Sequence, residues 1–259
     1  MTAIAPRMPY ELAPPEPLVG GILSAARVID VTGHELLGIE ATTDACAEAA
    51  EWTEWCSATG AKKVFDDVPQ WIVADPVAVY AGVECDMQTL EEGYARAARR
   101  LAYGESRMLD YIVAARLEAD PDTVDLGGPL PIGSGIGAAE AFAATVYGGV
   151  PTLLIPRIVL GCACGPGMFG RDGDGSLTTC TGAKVVPLTT PVTIPFDQAS
   201  EGTMFVTGQI TVLRGPVMTF SVPAMTDGAG VLHPPRALAE RIFVPIFECL
   251  VGKLEVTCG

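Results

Sequence analysis

The sequence predicts an α+β fold, and three observations lead to that prediction. A long stretch with helical periodicity begins at Thr89, and a second, shorter one covers about 134–147. The chain beyond residue 150 is rich in β-branched residues and punctuated by Gly and Pro. Of the 259 residues, 49% are apolar and only 18% are charged, whereas an average soluble domain has roughly 25% charged residues. We therefore expect broad contacts with other copies of the chain.

The N-terminal stretch predicts an extended arm. Five prolines fix its backbone and remove amide donors, so the arm needs a partner surface to become ordered: Pro6, Pro9, Pro14, Pro15 and Pro17. The same prolines interrupt the apolar run that a signal peptide requires. No apolar run approaches the roughly 18 residues of a membrane span. We expect a cytoplasmic arm and no membrane partner, with one elaborate domain or two closely joined ones behind it.

Residues 64–85 predict two strands joined by a turn. The run VFDDVPQWIVADPVAVYAGVEC combines β-branched and aromatic residues with Pro69 and Pro76. We expect a projecting hairpin here. The acidic series between Glu35 and Glu54, which precedes it, is typical of a solvated face.

The strongest local pattern is the capping box of Thr89 and Glu92, which predicts the start of a helix. A helix over about 90–118 would be roughly 43 Å long, and Pro121 lies just past its end. Glu92 can pair with Arg96 on its polar side. An ordinary core-facing helix would show the same apolar stripe, which consists of Leu90, Tyr94, Ala97, Leu101, Met108, Ile112 and Ala115.

The second helix is expected from Ser134 to Tyr147, with Ala138, Phe142 and Val146 facing inward and Gly148 as a C-terminal stop. After it, five segments are typical of strands. They are VPTLLIPRIVL, LTTCTGAKVVPLT, GTMFVTGQITVLRG, PVMTFSV and ERIFVPIFECLVGKLEV.

Candidate catalytic residues are scarce. The two histidines, His34 and His233, both have turn-like neighbours, so we expect exposed loop histidines. No G-x-S-x-G nucleophile elbow is present. We expect no catalytic residues and no enzymatic activity.

Three further patterns favour structure over ligand binding, so we expect no cofactor and no metal. Gly133, Gly135 and Ala138 match G-x-G-x-x-A, but Pro129 and Pro131 stand where a Rossmann strand is needed. Cys162 and Cys164, with the distant Cys180, are a weak match to zinc spacing, and we expect reduced thiols. Residues 172–175, Asp-Gly-Asp-Gly, lack the later ligands of a calcium loop and predict a hairpin tip.

The net charge of −15, from 31 acidic and 16 basic residues, makes the surface repulsive to nucleic acid over most of its area. Sequence-specific DNA binding is therefore disfavoured. A container for DNA is compatible with acidic walls, because they would not trap a genome that moves past them.

The order of arm, hairpin, long helix, second helix and β-rich half resembles the Hong Kong ninety-seven fold of tailed-phage capsid proteins and encapsulin nanocompartments. Local strings resemble actinobacterial phage virion proteins from about residue 20 to the end. They include DPVAVYAGVECD, LEEGYARAARRLAYGESRMLDYIV, VYGGVPTLLIPRIV, SLTTCTGAKVV, FVTGQITVLRGPV and ERIFVPIFECLV.

The resemblance implies an N-terminal arm over 1–50, an extended loop over 51–86 and a peripheral domain with a spine helix over 87–130. An axial domain would cover 131–200, and 201–259 would return to the peripheral domain. Within these segments, Pro69 to Asp86 would form the returning side of the loop and Leu90 to Leu117 the spine. The strings from Val146 to Val186 would belong to the axial domain.

In function, the resemblance implies a major capsid protein that self-assembles, through hexamers and pentamers, into an icosahedral head around double-stranded DNA. It would be assembled in the host cytoplasm and located in the virion, with scaffold, portal and decoration proteins as further partners. Some family members join subunits by Lys-to-Asn bonds, which this chain cannot form because it contains no Asn. The alternatives are an encapsulin-like nanocompartment shell and a tail-tube or other virion protein.

Overall fold

The computed structural model describes residues 20–43, 46, 70–84, 89–163, 167–173, 176–189, 201–226, 232–233, 235–248 and 251–258. Its helices are α1 (Ile22–Ala25), α2 (Leu90–Ala119), α3 (Ile132–Val146) and α4 (Arg157–Ala163), with a 3-10 turn at His34–Leu37. In this part of the chain, no helix combines the length and the apolarity that crossing a bilayer requires.

The strands are numbered in chain order. They are β1 (Arg27–Asp30), β2 (Ile39–Thr43), β3 (Gln70–Ala74), β4 (Val77–Glu84), β5 (Val124–Asp125), β6 (Leu130–Pro131), β7 (Thr152–Pro156), β8 (Phe169–Arg171), β9 (Leu177–Thr179), β10 (Lys184–Leu188), β11 (Glu201–Thr207), β12 (Ile210–Arg214), β13 (Met218–Val222), β14 (Met225–Thr226), β15 (Leu232–His233), β16 (Arg236–Phe247) and β17 (Val251–Thr257).

The long helix α2 is confirmed at both ends. The amide of Thr89 donates to Glu92 Oε2 at 3.0 Å, and the amide of Glu92 donates to Thr89 Oγ1 at 3.3 Å, which completes the capping box. The helix runs for 30 residues, about 45 Å. It ends before Asp120, which is extended because it precedes Pro121. The hydroxyl of Thr123 then donates to the carbonyl of Leu117, which the helix itself leaves unpaired.

The buried stripe of α2 differs from the predicted one in its second half. Ala97 and Leu101 are buried as expected, but Met108 is 43% exposed and Ala115 is also exposed. Burial continues in four-residue steps from Leu101, so the stripe winds gradually around the helix instead of following the seven-residue step to Met108. The residues that complete the stripe are Leu109, Val113 and Leu117.

The first sheet has the order β1-β12-β16-β13, and β4 pairs with the opposite edge of β16. The 12-residue strand β16 organises this sheet, because its first half pairs with β13 and its second half with β12. Helix α2 packs across β4 and β16, where Val79, Val83, Ala239 and Phe243 are buried beneath it.

The second sheet has the order β5-β17-β11-β7-β10-β9-β8, with β6 also paired to β17. Strand β7 is buried at all five positions, which identifies the centre of the sheet. One face of the sheet, with Leu154 and Val186, joins the core of α2, and the other face, with Leu153 and Val185, joins that of α3 and α4.

The predicted hairpin at 64–85 is wrong in its pairing. Strand β3 pairs with β2, whereas β4 continues into the first sheet and pairs with β16. Helix α2 contacts the segment that connects β3 to β4. The guanidinium of Arg116 donates to the carbonyls of Asp75 and Pro76 at 3.1 and 2.9 Å. The outgoing strand of the ladder, β2, lies within the segment predicted as the N-terminal arm, and most of the chain between β2 and β3 lies outside the described residues.

The structure tests two other local predictions and corrects the first. The segment VPTLLIPRIVL forms a strand only as far as Pro156, and Arg157–Ala163 is the helix α4. A short apolar run fits a strand and a buried helix equally well, so its periodicity could not reveal the change. The predicted hairpin tip at 172–175 is supported, because β8 and β9 pair on either side of it and the amide of Asp172 donates to the carbonyl of Ser176.

Helix α3 begins two residues before the predicted start, and its inward face is also different. Val146 is 40% exposed and Ala138 and Phe142 are half-buried, whereas the fully buried face consists of Ile132, Gly135, Ile136, Ala139 and Ala143. The helix ends because Tyr147 is extended, with its amide donating to the carbonyl of Ala143. Gly148 is not among the glycines with positive φ and therefore supplies no left-handed stop.

The segment 201–259, predicted to return to the peripheral domain, contributes strands to both sheets. Strands β12, β13 and β16 belong to the first sheet, and β11 and β17 to the second. The chain crosses between the sheets from β11 to β12 and again from β16 to β17. The boundaries of the five predicted segments remain a prediction.

Gly135 permits α3 to lie close to β17. A Cβ at this position would stand 2.5 Å from Val256 Cγ1, whereas a Cβ at Gly137 would meet nothing within 4 Å. We expect Gly135→Ala to lower the free energy of unfolding by about 1–3 kcal/mol through overpacking. Gly137→Ala should raise it by about 0.5–1 kcal/mol through helix propensity. Urea unfolding of unassembled subunits measures both, and equal effects of the two substitutions would contradict this packing.

Candidate assembly surfaces

The two histidines lie in different elements of the structure. His34 is exposed in the 3-10 turn His34–Leu37, close to its predicted loop position. His233 lies in the short strand β15, paired with Met225, and not in a loop as predicted. Within the described ranges, no group of three or more His, Cys, Asp or Glu side chains is placed to hold a metal ion.

The expectation of reduced thiols is wrong for three of the described cysteines, Cys46, Cys162 and Cys258. Cys162, at the end of α4, is bonded to Cys258, just beyond β17, with their Cα atoms 5.4 Å apart. The pairing joins residues 96 positions apart in sequence, so local spacing could not predict it. The disulfide occupies the sulfur of Cys162, Cys180 is a free and exposed thiol, and Cys164 lies outside the described residues.

The glycines of the G-x-G-x-x-A pattern have a packing role. Gly135 lies under Val256 and Leu254 of β17, and a Cβ at Gly133 would stand 3.4 Å from Met168 Cε, which is an ordinary contact. A two-residue strand, β6, does precede the helix and pairs in parallel with β17. The pattern therefore lies at a close helix-to-sheet contact.

A buried carboxylate holds the beginning of the described chain against α2. Asp110 is only 1% exposed; its Oδ1 accepts from the amide of Ile22 at 2.8 Å, and its Oδ2 accepts from the amide of Thr189 at 3.2 Å. Gly21, with φ of 90°, passes so close that a Cβ would stand 2.7 Å from Asp110 Oδ2. Asp110 thereby connects α2, α1 and the end of β10. We call this arrangement the Asp110 joint.

Burial raises the pKa of Asp110, and the backbone hydrogen bonds from Ile22 and Thr189 oppose the rise. The periodicity of α2 gave a hint of this residue, because Asp110 lies beside Leu109 and Val113 on the winding stripe. Sequence reasoning missed it, since an aspartate at a helical position is usually solvated.

A second ionic contact ties α2 to the first sheet. Arg241 Nη1 of β16 donates to Glu105 Oε1 at 2.7 Å, and the side chains are only 19% and 13% exposed. Within the described residues, Glu105 Oε2 and Arg241 Nε have no hydrogen-bond partner. Desolvation raises the pKa of Glu105 although the adjacent Arg241 lowers it, so the attraction does not fully offset the burial of the carboxylate.

The β2–β3 ladder forms an exposed ribbon. We define the ribbon face by Glu40, Thr42, Trp71 and Val73, which are paired as Glu40 with Val73 and Thr42 with Trp71. Trp71 is 65% exposed and Val73 is 69% exposed. The base of the ribbon is anchored, because Ala74 is buried with Leu213 and Val244 in a small core.

Glu248 fixes the other strand of the ribbon to the rest of the molecule. Its Oε1 accepts from Thr43 Oγ1 of β2 at 3.1 Å, and its Oε2 accepts from the hydroxyl of Tyr147 at 2.8 Å. The amide of Gln209 donates to the same Tyr147 oxygen at 3.0 Å. Thr43 pairs with Gln70, at the end of the ladder opposite Ala74. The ribbon is therefore held at both ends, whereas Trp71 and Val73 are left exposed by the described residues.

A second apolar surface lies on the first sheet, on the side away from α2. We call it the outer sheet patch and define it by Tyr80, Met218 and Phe220, which are 69%, 40% and 41% exposed. The register places Tyr80 and Met218 on either side of Glu240, and Phe220 beside Leu238. Large exposed apolar surfaces of this kind are typical of protein–protein contacts.

Comparison with known proteins is informative at the level of the fold. No family model and no curated protein matches the sequence. Among solved structures, the chain is similar to the capsid of the empty GTA particle, with 13% identity over 98% of this chain and 95% of that chain, at a TM-score of 0.52.

Two further structures show the same likeness. One is from Mycobacterium phage Ogopogo, with 12% identity, coverage of 96% of this chain and 97% of that chain, and a TM-score of 0.51. The other is the virus-like particle from Pyrococcus furiosus, with 8% identity, coverage of 90% and 91%, and a TM-score of 0.50. At these identities the likeness establishes the fold alone, and it confirms the α+β Hong Kong ninety-seven-like fold.

The Asp110 joint predicts a large loss of stability in Asp110→Ala. Removing the carboxylate leaves the Ile22 and Thr189 amides without their acceptor, and hydrogen bonds to charged groups contribute about 1.5–3 kcal/mol each. We expect the free energy of unfolding to fall by about 2–4 kcal/mol at neutral pH, measured by urea unfolding of unassembled subunits. The control is Asp122→Ala, an exposed aspartate, which should change it by less than about 0.5 kcal/mol. Equal losses in both variants would contradict the joint.

The raised pKa of Glu105 predicts a pH-dependent difference between the natural chain and Glu105→Gln. An acid with a higher pKa when folded stabilises the fold most below its unfolded pKa, and that contribution is lost as pH rises through the folded pKa. Glutamine does not titrate, so Glu105→Gln should gain stability relative to the natural chain as pH rises through this range. Unfolding curves at several pH values measure the difference, and a difference that moves the opposite way would show that the Arg241 attraction dominates.

Proposed function

We propose that this chain is the major capsid protein of a tailed phage, assembling into an icosahedral head that encloses double-stranded DNA. The proposal gives it a structural role, with no catalytic, cofactor or metal residues. It would assemble in the host cytoplasm, through hexamers and pentamers, and reside in the virion. The fold supports the proposal, since the similar structures include capsids by their own description.

The observation that carries the proposal is the ribbon face. A two-stranded ladder by itself has only marginal stability in water. This one nevertheless exposes Trp71 and Val73, which lie two residues apart on the same face of β3. Covering the exposed part of a tryptophan contributes on the order of 2–4 kcal/mol. A neighbouring copy that covers the ribbon face would supply this energy once per subunit of a closed shell.

The outer sheet patch adds a second contact area on the same subunit. Closed shells need at least two different contact surfaces on each copy, because one surface alone gives only pairs or a single ring. Since the chain has no Asn, Lys-to-Asn bonds between copies are not available to it. We propose that shell strength comes from apolar burial, with scaffold, portal and decoration proteins as further partners.

The ribbon proposal predicts an assembly defect in Trp71→Ser. A loss of about 2 kcal/mol per subunit raises the protein concentration needed for assembly roughly thirty-fold. The matched control is Trp71→Phe, which retains most of the apolar area and should assemble nearly normally. Circular dichroism checks that the subunits remain folded, and negative-stain microscopy with light scattering measures closed particles against concentration.

Four outcomes would overturn or redirect the proposal. Closed shells from Trp71→Ser at the natural concentration would remove the ribbon from the assembly contacts. Monomers alone from the natural chain, even with a scaffold partner supplied, would count against any shell. Rings or tubes would instead indicate a tail-tube protein, and closed shells filled with protein cargo would indicate a nanocompartment.

A further inference from the structure

We propose that one polar face of α2 is a binding surface for the phosphate backbone of duplex DNA. The surface, which we call the arginine stripe, consists of Arg96, Arg100, Tyr103, Arg107 and Tyr111. Arg100 lies at its edge, where the guanidinium donates to the carbonyl of Gly82 in β4 at 2.9 Å. The inference rests on the proposed function for the presence of DNA inside the shell, and the experiment below separates its failure from a failure of that function.

The spacing puts these five side chains on one face. They follow one another at steps of four, three, four and four residues, which is one row along an α-helix. Leu101, Glu105 and Leu109 occupy the opposite face, where they contact the cores and Arg241. Arg96 and Arg107 stand about 16 Å apart at 1.5 Å per residue, so the stripe can follow several successive phosphates of one DNA strand.

The charge of this face is unlike that of the rest of the chain. The molecule carries −15 overall, but between Glu92 and Glu118 the acidic residues of α2 are Glu105 and Asp110, and both are engaged elsewhere. Among the residues that the structure describes, neither Arg96 nor Arg107 has a carboxylate within ion-pair distance. The face therefore presents positive charge in an otherwise acidic protein.

The arrangement also costs the helix stability, which indicates a use for it. Arg96 and Arg100 are four residues apart, and like charges at this spacing destabilise a helix. Tyr103 and Tyr111 are 43% and 44% exposed among the arginines. Arginine and tyrosine side chains are both common hydrogen-bond donors to phosphate oxygens, and such contacts do not require a particular base sequence. Binding to the phosphates of a duplex explains this surface better than simple exposure to solvent does.

An acidic protein segment is the competing occupant. The regular spacing of cations along a straight helix favours a regularly spaced polyanion over a folded acidic surface. A weak, sequence-independent contact also suits a container that must load and release its contents. The stripe would offer local attraction to DNA while the remaining acidic surface limits the total affinity.

The test uses unassembled subunits and a fluorescent 20-base-pair duplex, with anisotropy measured against salt concentration. The first variant is Arg96→Gln with Arg107→Gln, and the matched control is Arg27→Gln with Lys184→Gln, which removes two exposed cations elsewhere. A third variant, Arg96→Lys with Arg107→Lys, keeps the charge. Poly-glutamate serves as the competing polyanion.

We expect the natural chain to bind the duplex at low salt. The stripe variant should lose about tenfold or more in affinity, and the slope of log affinity against log salt should fall in magnitude by about 2, one for each phosphate contact. The control and the lysine variant should keep most of the binding.

The proposal is overturned if the natural chain does not bind the duplex at low salt, or if the control loses as much affinity as the stripe variant. It is also overturned if poly-glutamate binds as tightly as DNA with the same dependence on Arg96 and Arg107, which would assign the stripe to an acidic protein. Stripe-dependent DNA binding without closed particles in microscopy would retain this inference and contradict the shell. Closed particles without stripe-dependent binding would support the shell and overturn this inference.

Discussion

The fold depends on one helix that packs against both sheets, and on a buried carboxylate at the point where it does so. Helix α2 packs on β4 and β16 of the first sheet and shares a buried core with Leu154 and Val186 of the second sheet. Asp110 lies in α2 and accepts amide hydrogen bonds from both α1 and the end of β10. The sheets share no strand among the described residues. The Asp110 joint and the common core therefore connect the two sheets.

The same arrangement explains why part of the chain is left without internal cover. Because α2 occupies one side of the first sheet, the opposite side exposes the outer sheet patch. Because β4 pairs with β16 in the first sheet, β3 pairs with β2 in a two-stranded ribbon, which is attached through Ala74 at one end and Thr43 at the other. The ribbon face and the outer sheet patch are exposed because of how the core is built. In a homo-oligomer, a second copy of the same chain is the partner that could cover them.

The sequence predicted the elements far better than their pairing. The capping box and the long apolar stripe located α2 to within a residue at its C-terminal end, because both signals are local. The partners of β3 and β4 could not be predicted, since they depend on contacts with Arg116 and β16 that are distant in sequence. The Cys162–Cys258 pairing was missed for the same reason.

Burial of single positions was the other limit. Met108 and Leu109 are both apolar, and only the winding of the buried stripe distinguishes the exposed residue from the core residue. Asp110 and Glu105 gave no apolar signal at all, although both are held against the core of the molecule. The proposed assembly surfaces were expected only in general terms, from the shortage of charge, because exposure cannot be derived from composition.

The most direct measurement of the central claim is amide hydrogen exchange in the ribbon, compared between free subunits and assembled particles. If sister copies cover the ribbon face, the amides of Gln70–Ala74 exchange rapidly in the free subunit and slow by about a hundredfold or more on assembly, while those of the central strand β7 stay protected in both states. Equal exchange of the ribbon amides before and after assembly would contradict the account.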